Sequence, residues 1–158
     1  METDNYIQMM TDSIEIKKET ITRIASLSEE QNSILAAQEF DGEAFQSNID
    51  EKADLIEQLV KLDEGFNGLF SRVKAVLDGH KQEYSKEIAR IKELIKAVTE
   101  LSVKVQAQEA RNKTLAQSTF SRMKKEVENA KRSTKVVNTY YQNMNKLSYE
   151  PQLMDKKK

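Results

Sequence analysis

The chain has 158 residues, of which 38% are hydrophobic and 32% charged, and its formal net charge is −1. It contains four Gly, one Pro and no Cys, so a disulfide framework, a thiol nucleophile and cysteine-ligated metal centres are excluded. Because turns draw largely on Gly and Pro, this composition predicts few and long elements. We therefore expect an all-α protein whose helices bury narrow apolar stripes rather than a thick core.

The first predicted helix spans about residues 5–37. Its apolar residues recur at alternating steps of three and four, which is typical of a buried seam: Ile7, Met10, Ile14, Ile21, Ile24 and Leu35. Lys17, Ser28 and Gln31 interrupt this seam. The periodicity is then lost at residues 39–43, where Asp41 is a candidate N-cap for the next helix.

The second predicted helix spans residues 42–77 and is the most apolar one. One stripe runs along it: Phe45, Ile49, Ile56, Leu59, Phe66, Phe70, Val73 and Leu77. Gly65 and Gly68 lie inside this helix, and each costs about 0.5–1 kcal/mol relative to Ala. We predict a continuous helix nevertheless, because the apolar period is maintained through both glycines.

The third predicted helix begins near Lys81, after the breaker Asp78-Gly79, and extends to about Leu147. No Gly or Pro occurs between His80 and Glu150, which allows a length of roughly 100 Å. The two shorter helices can cover only its first half. The expected fold is thus an elongated bundle or coiled coil of three long antiparallel helices, with the C-terminal half of the third helix projecting.

Charge divides the chain at the same place, because residues 1–109 carry a net −9 and residues 110–158 a net +8. We expect an acidic three-helix bundle at 1–109, a basic extended helix at 110–147 and a flexible tail at 148–158. The apolar residues of the basic helix recur at helical spacing and form a candidate binding stripe: Phe120, Met123, Val127, Val136, Val137, Tyr140, Tyr141, Met144 and Leu147. Exposed stripes of this kind mark partner surfaces, either for the helix of a partner protein or for a second copy in a homodimer.

Residues for catalysis or cofactor binding are not evident in the sequence. The single histidine, His80, falls in a turn, and there is no Gly-rich phosphate loop, paired-histidine motif or calcium loop. We expect a protein that is not an enzyme and that needs no metal or cofactor. The acidic N-terminus and the short apolar runs favour a cytoplasmic protein without a signal peptide or membrane span.

Nucleic-acid binding is a weaker alternative for the basic half. Its positive residues are distributed around the helix rather than along one face: Arg111, Lys113, Arg122, Lys124, Lys125, Lys131, Arg132 and Lys135. The whole chain is also slightly acidic. A solvated basic face that assists an acidic protein partner is the simpler interpretation.

Three segments resemble the flagellar export chaperones of the FlgN type. Ile49-x-x-Lys52-x-x-Leu55-Ile56-x-x-Leu59-x-x-Leu62-Asp63 is similar to the second-helix pattern of that family, and Glu109-x-x-Asn112-x-x-Leu115 is similar to a motif of its last long helix. Tyr140-Tyr141-Gln142-Asn143-Met144 lies where related chains carry a tyrosine and then a glycine, which is missing here.

The resemblance implies a cytoplasmic, ATP-independent chaperone. Its C-terminal helix would bind the aggregation-prone C-terminal helices of hook–filament junction proteins and help deliver them to the export gate of the flagellar type III secretion apparatus. The alternative is a structural coiled-coil protein that self-associates and has no client. We interpret Lys52 as a seam residue with its ammonium in water, and Asn112 as a polar seam residue that fixes register.

Overall fold

The structure is a computed structural model that describes residues 2–124 and 129–146. This part of the chain contains four α-helices and no strand: α1 Glu2–Ala36, α2 Gly42–Leu77, α3 Ser85–Met123 and α4 Asn129–Lys146. The expected all-α class is confirmed. None of the four described helices combines the length and the apolar content that a membrane span requires.

The helices form a bundle in which α1 packs against both α2 and α3, and α4 also packs against both α2 and α3. Each of these helices contributes a stripe to one continuous apolar core, as the spacing of three and four predicts. The seam residues predicted for the first two helices are buried. The groove between α2 and α3 therefore receives α1 along one side and α4 along the other.

The boundaries of α2 agree with the prediction. The Asp41 carboxylate accepts a hydrogen bond from the Ala44 amide at 3.0 Å, so it caps the first turn as expected. The helix continues through Gly65 and Gly68, and a Cβ built at either position meets no atom within 4 Å. Close packing therefore does not explain these glycines.

The turn between α2 and α3 is longer than the sequence indicated. Gly79 has a φ of 83°, in the left-handed region that favours glycine, and the Leu77 carbonyl accepts a hydrogen bond from the His80 amide at 2.8 Å. Two further i→i+3 hydrogen bonds follow, to the His80 and Gln82 carbonyls. The third helix consequently begins at Ser85 rather than near residue 81.

The third helix also ends earlier than expected, and its C-terminal half does not project. The Lys113 ammonium lies 5.8 Å from the centre of the Tyr141 ring, although the two residues are 28 positions apart and would be separated by about 42 Å in one straight helix. Helix α4 therefore runs back along α3. The physical reason is burial, because a projecting helix would leave its apolar face in water whereas the groove between α2 and α3 covers it.

Candidate functional site

The predicted binding stripe is divided between two helices. Val136, Val137, Tyr140, Tyr141 and Met144 lie on α4, and we call these five residues the α4 stripe. Four of them are buried, with exposed fractions of 2–6%, and Val136 is half-buried. The expectation that this surface is exposed in the free chain is therefore wrong. Val127 and Leu147 of the predicted stripe lie outside the described residues.

Phe120 and Met123 of the predicted stripe belong to the end of α3. The Phe120 ring packs edge-on against Phe40 and Phe45, with ring centres 5.3 and 5.4 Å away. Phe120 is buried and Met123 is half-buried against the same core. Phe120 thus packs at the end of the bundle where the chain passes from α1 to α2, and it lies on α3 rather than on α4.

Helical spacing puts the α4 stripe on one face. Val137, Tyr140, Tyr141 and Met144 follow one another at i, i+3, i+4 and i+7, so their side chains point to the same side of the helix. The intervening residues are exposed: Asn138, Thr139, Gln142 and Asn143. Helix α4 is thus amphipathic and presents one apolar face to the groove between α2 and α3.

The two tyrosines make the specific contacts of α4. The Lys52 ammonium of α2 lies 4.6 Å from the centre of the Tyr140 ring. The Tyr140 and Tyr141 rings pack edge-on, with their centres 5.2 Å apart. The Tyr141 ring lies near the Lys113 ammonium of α3. An ammonium over an aromatic face is attracted by the negative π-cloud, so both lysines help to hold α4 in place.

A buried polar cluster lies beneath Tyr140, where α1, α2 and α3 meet. The Lys52 ammonium contacts the Glu109 carboxylate at 2.8 Å and donates to the side-chain oxygen of Gln31 at 2.7 Å. Glu109 also accepts a hydrogen bond from the Ser28 hydroxyl. The side chain of Lys52 is fully buried, so the interpretation that its ammonium reaches water is wrong.

Asn112 extends the same cluster one turn further along α3. Its amide group donates to the Ser28 carbonyl at 2.7 Å and to the Gln31 side chain at 3.0 Å, both on α1. Gln108 donates to the Asn112 side-chain oxygen at 2.8 Å. Since a buried amide needs its partners at fixed positions, these bonds set the register of α3 against α1, as the sequence indicated for Asn112.

Burial changes the protonation chemistry of two groups in the cluster. Loss of water lowers the pKa of the Lys52 ammonium, although the Glu109 carboxylate acts in the opposite direction. Burial raises the pKa of the Tyr141 hydroxyl well above its ordinary value, and the negative charge of Glu109 raises it further. Tyr141 therefore keeps its proton to a more alkaline pH than an exposed tyrosine does.

The cluster retains unused hydrogen-bonding capacity. Among the described residues, Gln31 Nε2, Glu109 Oε2 and the Tyr141 hydroxyl are buried without a hydrogen-bond partner. A buried polar group in this condition costs about 1–3 kcal/mol. Because the Tyr141 hydroxyl lies on α4, the packing of α4 over the cluster is less favourable than its apolar contacts alone would suggest.

Sequence reasoning identified Lys52, Glu109 and Asn112 as motif residues but did not bring them together. The signal was present, because polar residues occupy seam positions on three different helices at the same level of the bundle. Such interruptions indicate a polar contact across the core. The predicted turn residue His80 is exposed and lies 3.5 Å from Glu83, remote from this cluster.

Comparison with known proteins gives one family. The family model described as FlgN protein matches residues 1–147, a range that includes all four described helices. No curated protein and no solved structure matches the chain.

Proposed function

The chain belongs to the FlgN family of flagellar export chaperones, and from that premise we propose that it binds the C-terminal helices of hook–filament junction proteins and helps deliver them to the export gate of the flagellar type III secretion apparatus. In this proposal the protein acts in the cytoplasm. It performs no catalytic step and uses no cofactor.

The α4 stripe is the proposed client-binding surface. This proposal is based on the residue types that share one face of α4. Two tyrosines and a methionine follow at helical spacing. Methionine adapts its shape to a partner, and tyrosine combines a large contact area with a polar end. An amphipathic client helix would bury its apolar face against such a stripe.

Client binding by this surface requires α4 to leave its groove, because the stripe is buried in the free chain. The buried Tyr141 hydroxyl without a partner favours such a release, since it weakens the packing of α4. The positive charge of residues 110–158 complements an acidic segment on a client or at the gate. The proposed cycle thus exchanges the contacts of α4 within the chain for contacts with a client.

A reversible lock on α4 tests this proposal. The chain has no cysteine, and Ala53 of α2 and Thr139 of α4 line the same groove. In the double variant Ala53→Cys/Thr139→Cys, oxidation or a short bismaleimide would tie α4 to α2. We expect the locked protein to lose binding of a peptide from the C-terminal helix of a junction protein by calorimetry, and reduction of the disulfide to restore it.

The single variants Ala53→Cys and Thr139→Cys, treated in the same way, are the matched controls and should bind the peptide like the unmodified chain. Equal affinity of the locked and reduced proteins would show that the client binds elsewhere. Failure of every form to bind the peptide would instead favour a structural coiled-coil protein without a client.

A further inference from the structure

Helix α3 ends without a stop signal. Lys124, which follows its last residue, still has helical dihedral angles (φ −58°, ψ −27°), and its amide donates to the Phe120 carbonyl at 2.8 Å. Helices commonly end at a glycine or shortly before a proline, yet neither residue occurs between His80 and Glu150. Nothing in the sequence therefore opposes a longer α3.

The groove that holds α4 is built entirely by other helices. Its polar floor is formed by Lys52 of α2 and by Glu109 and Lys113 of α3, and its edge by Ile49 and Ala53 of α2. Every copy of the chain presents this same groove. Whether it receives its own α4 or that of another copy depends only on the path of the chain after Lys124.

We propose that two copies of this chain exchange their α4 helices and form a dimer in which each α4 stripe fills the groove of the other copy. If the helix continued from Ser85 to Lys146, it would be about 93 Å long. Each α4 would then run in line with its own α3 and antiparallel to α3 of the second copy. This relationship is a two-fold symmetry, the commonest one among oligomers.

The exchanged dimer retains the contacts that α4 makes in the monomer. Tyr140 would lie over Lys52, and Tyr141 near Lys113, in each half of the dimer. Since the contacts are the same, the balance between the two forms is set by the connection between α3 and α4 and by protein concentration. Exchange of α4 between two copies does not require the proposed client, because it needs only the fit between α4 and the groove.

Mixed single-cysteine proteins test the exchange directly. Ala53→Cys and Thr139→Cys chains would be mixed in equal amounts, concentrated and oxidised, and the products separated without reductant. We expect a disulfide-linked dimer that contains one chain of each kind and increases with concentration. The control mixture of Met9→Cys with Thr139→Cys, in which residue 9 is exposed on α1, should give no such product.

A second variant tests whether the connection between α3 and α4 controls dimerisation. Glu126→Pro opposes a continuous helix through residues 123–129. By light scattering after size-exclusion chromatography we expect it to remain monomeric at concentrations where the unmodified chain dimerises. With Ala53→Cys/Thr139→Cys added, it should still form the bond within one chain. A chain that stays monomeric at every concentration, a dimer without the mixed disulfide, or a Glu126→Pro dimer would each overturn the inference.

Discussion

The Lys52 ammonium and the Glu109 carboxylate form an ion pair at 2.8 Å in the middle of the bundle, with side-chain exposures of 0 and 5%. The pair joins α2 to α3, and hydrogen bonds to Gln31 and Ser28 connect it to α1. Tyr140 of α4 covers it. All four described helices thus meet at one buried charge pair. Its directional contacts fix the relative positions of the helices more specifically than apolar packing alone would.

Removing one member of this pair should destabilise the protein strongly. In Lys52→Met the Glu109 carboxylate keeps its burial but loses its counter-ion, and breaking a buried pair in this way costs about 3–5 kcal/mol. In Lys52→Met/Glu109→Leu both charges are gone. Ser28 can still donate to the Ile24 carbonyl and Gln31 can still accept from Asn112, so we expect recovery of most of the loss. Denaturant unfolding of both variants measures the difference.

The exposed pair Arg23–Glu51, with exposures of 51 and 46%, is the matched control. Arg23→Met should cost less than about 1 kcal/mol, because an exposed pair gains little from its charges. If Arg23→Met and Lys52→Met lost equal free energies of unfolding, this would contradict the claim that burial makes the loss of Lys52 costly.

The two glycines inside α2 offer a stabilising change. Gly65 and Gly68 are exposed and have open space where a Cβ would lie, so Gly65→Ala and Gly68→Ala should each raise the free energy of unfolding by about 0.5–1 kcal/mol. Gly79→Ala is the control, because its φ of 83° strains any other residue and the change should destabilise. Thermal unfolding of the three variants gives the comparison, and a loss of stability in Gly65→Ala would indicate a packing role for that glycine.

Stability at alkaline pH should depend on Tyr141. Its pKa is raised in the folded chain, so the unfolded chain releases this proton first, near the ordinary tyrosine value of about 10. Below that pH the ionisation of Tyr141 does not change stability, and above it the folded chain loses stability because the unfolded chain releases the proton more readily. In Tyr141→Phe this part of the pH dependence should disappear, and stability at neutral pH should be unchanged or higher, since a buried hydroxyl without a partner is removed.

Unfolding of Tyr141→Phe and of the unmodified chain at pH 8 and pH 11 measures this effect. Tyr6→Phe removes the hydroxyl of a half-buried tyrosine on α1 and serves as the control. Lys52 has the opposite effect on the pH dependence of stability, because its pKa is lowered in the folded chain. Its contribution makes the folded chain more stable as the pH rises towards the ordinary lysine value of about 10.4. Comparison of variants that all retain Lys52 cancels this contribution. A pH dependence identical in Tyr141→Phe and the unmodified chain would contradict the burial of Tyr141.

Local patterns were sufficient to predict α1, α2 and most of α3. Apolar spacing, the Asp41 cap and the glycine at position 79 act within a few residues, and the structure has the helices close to where these signals place them. The packing of α4 could not be predicted in this way. The spacing of its apolar residues shows that they share a face, but the same spacing fits a projecting helix and a helix folded back into a groove.

The buried cluster illustrates a second limit. Lys17, Ser28 and Gln31 each interrupt the apolar seam of α1, and each has a partner on another helix: Lys17 pairs with Asp63 at 2.6 Å, and the other two join the cluster around Lys52. A lysine at a seam position is usually explained by a stem that reaches water. The alternative is a counter-ion on another helix. Predicting that partner requires knowledge of how α2 and α3 align, which the sequence alone does not provide.

The most direct test of the account is hydrogen exchange of the backbone amides of α4, measured in the free chain and with a junction-protein peptide. Because Asn112, Ala116 and Phe120 pack in the core, we expect slow exchange through α3 and faster exchange only in α4, rather than from residue 110 onward as the sequence suggested. We expect the peptide to slow exchange in residues 135–146. Exchange in α4 that is unchanged by a peptide that binds would contradict it.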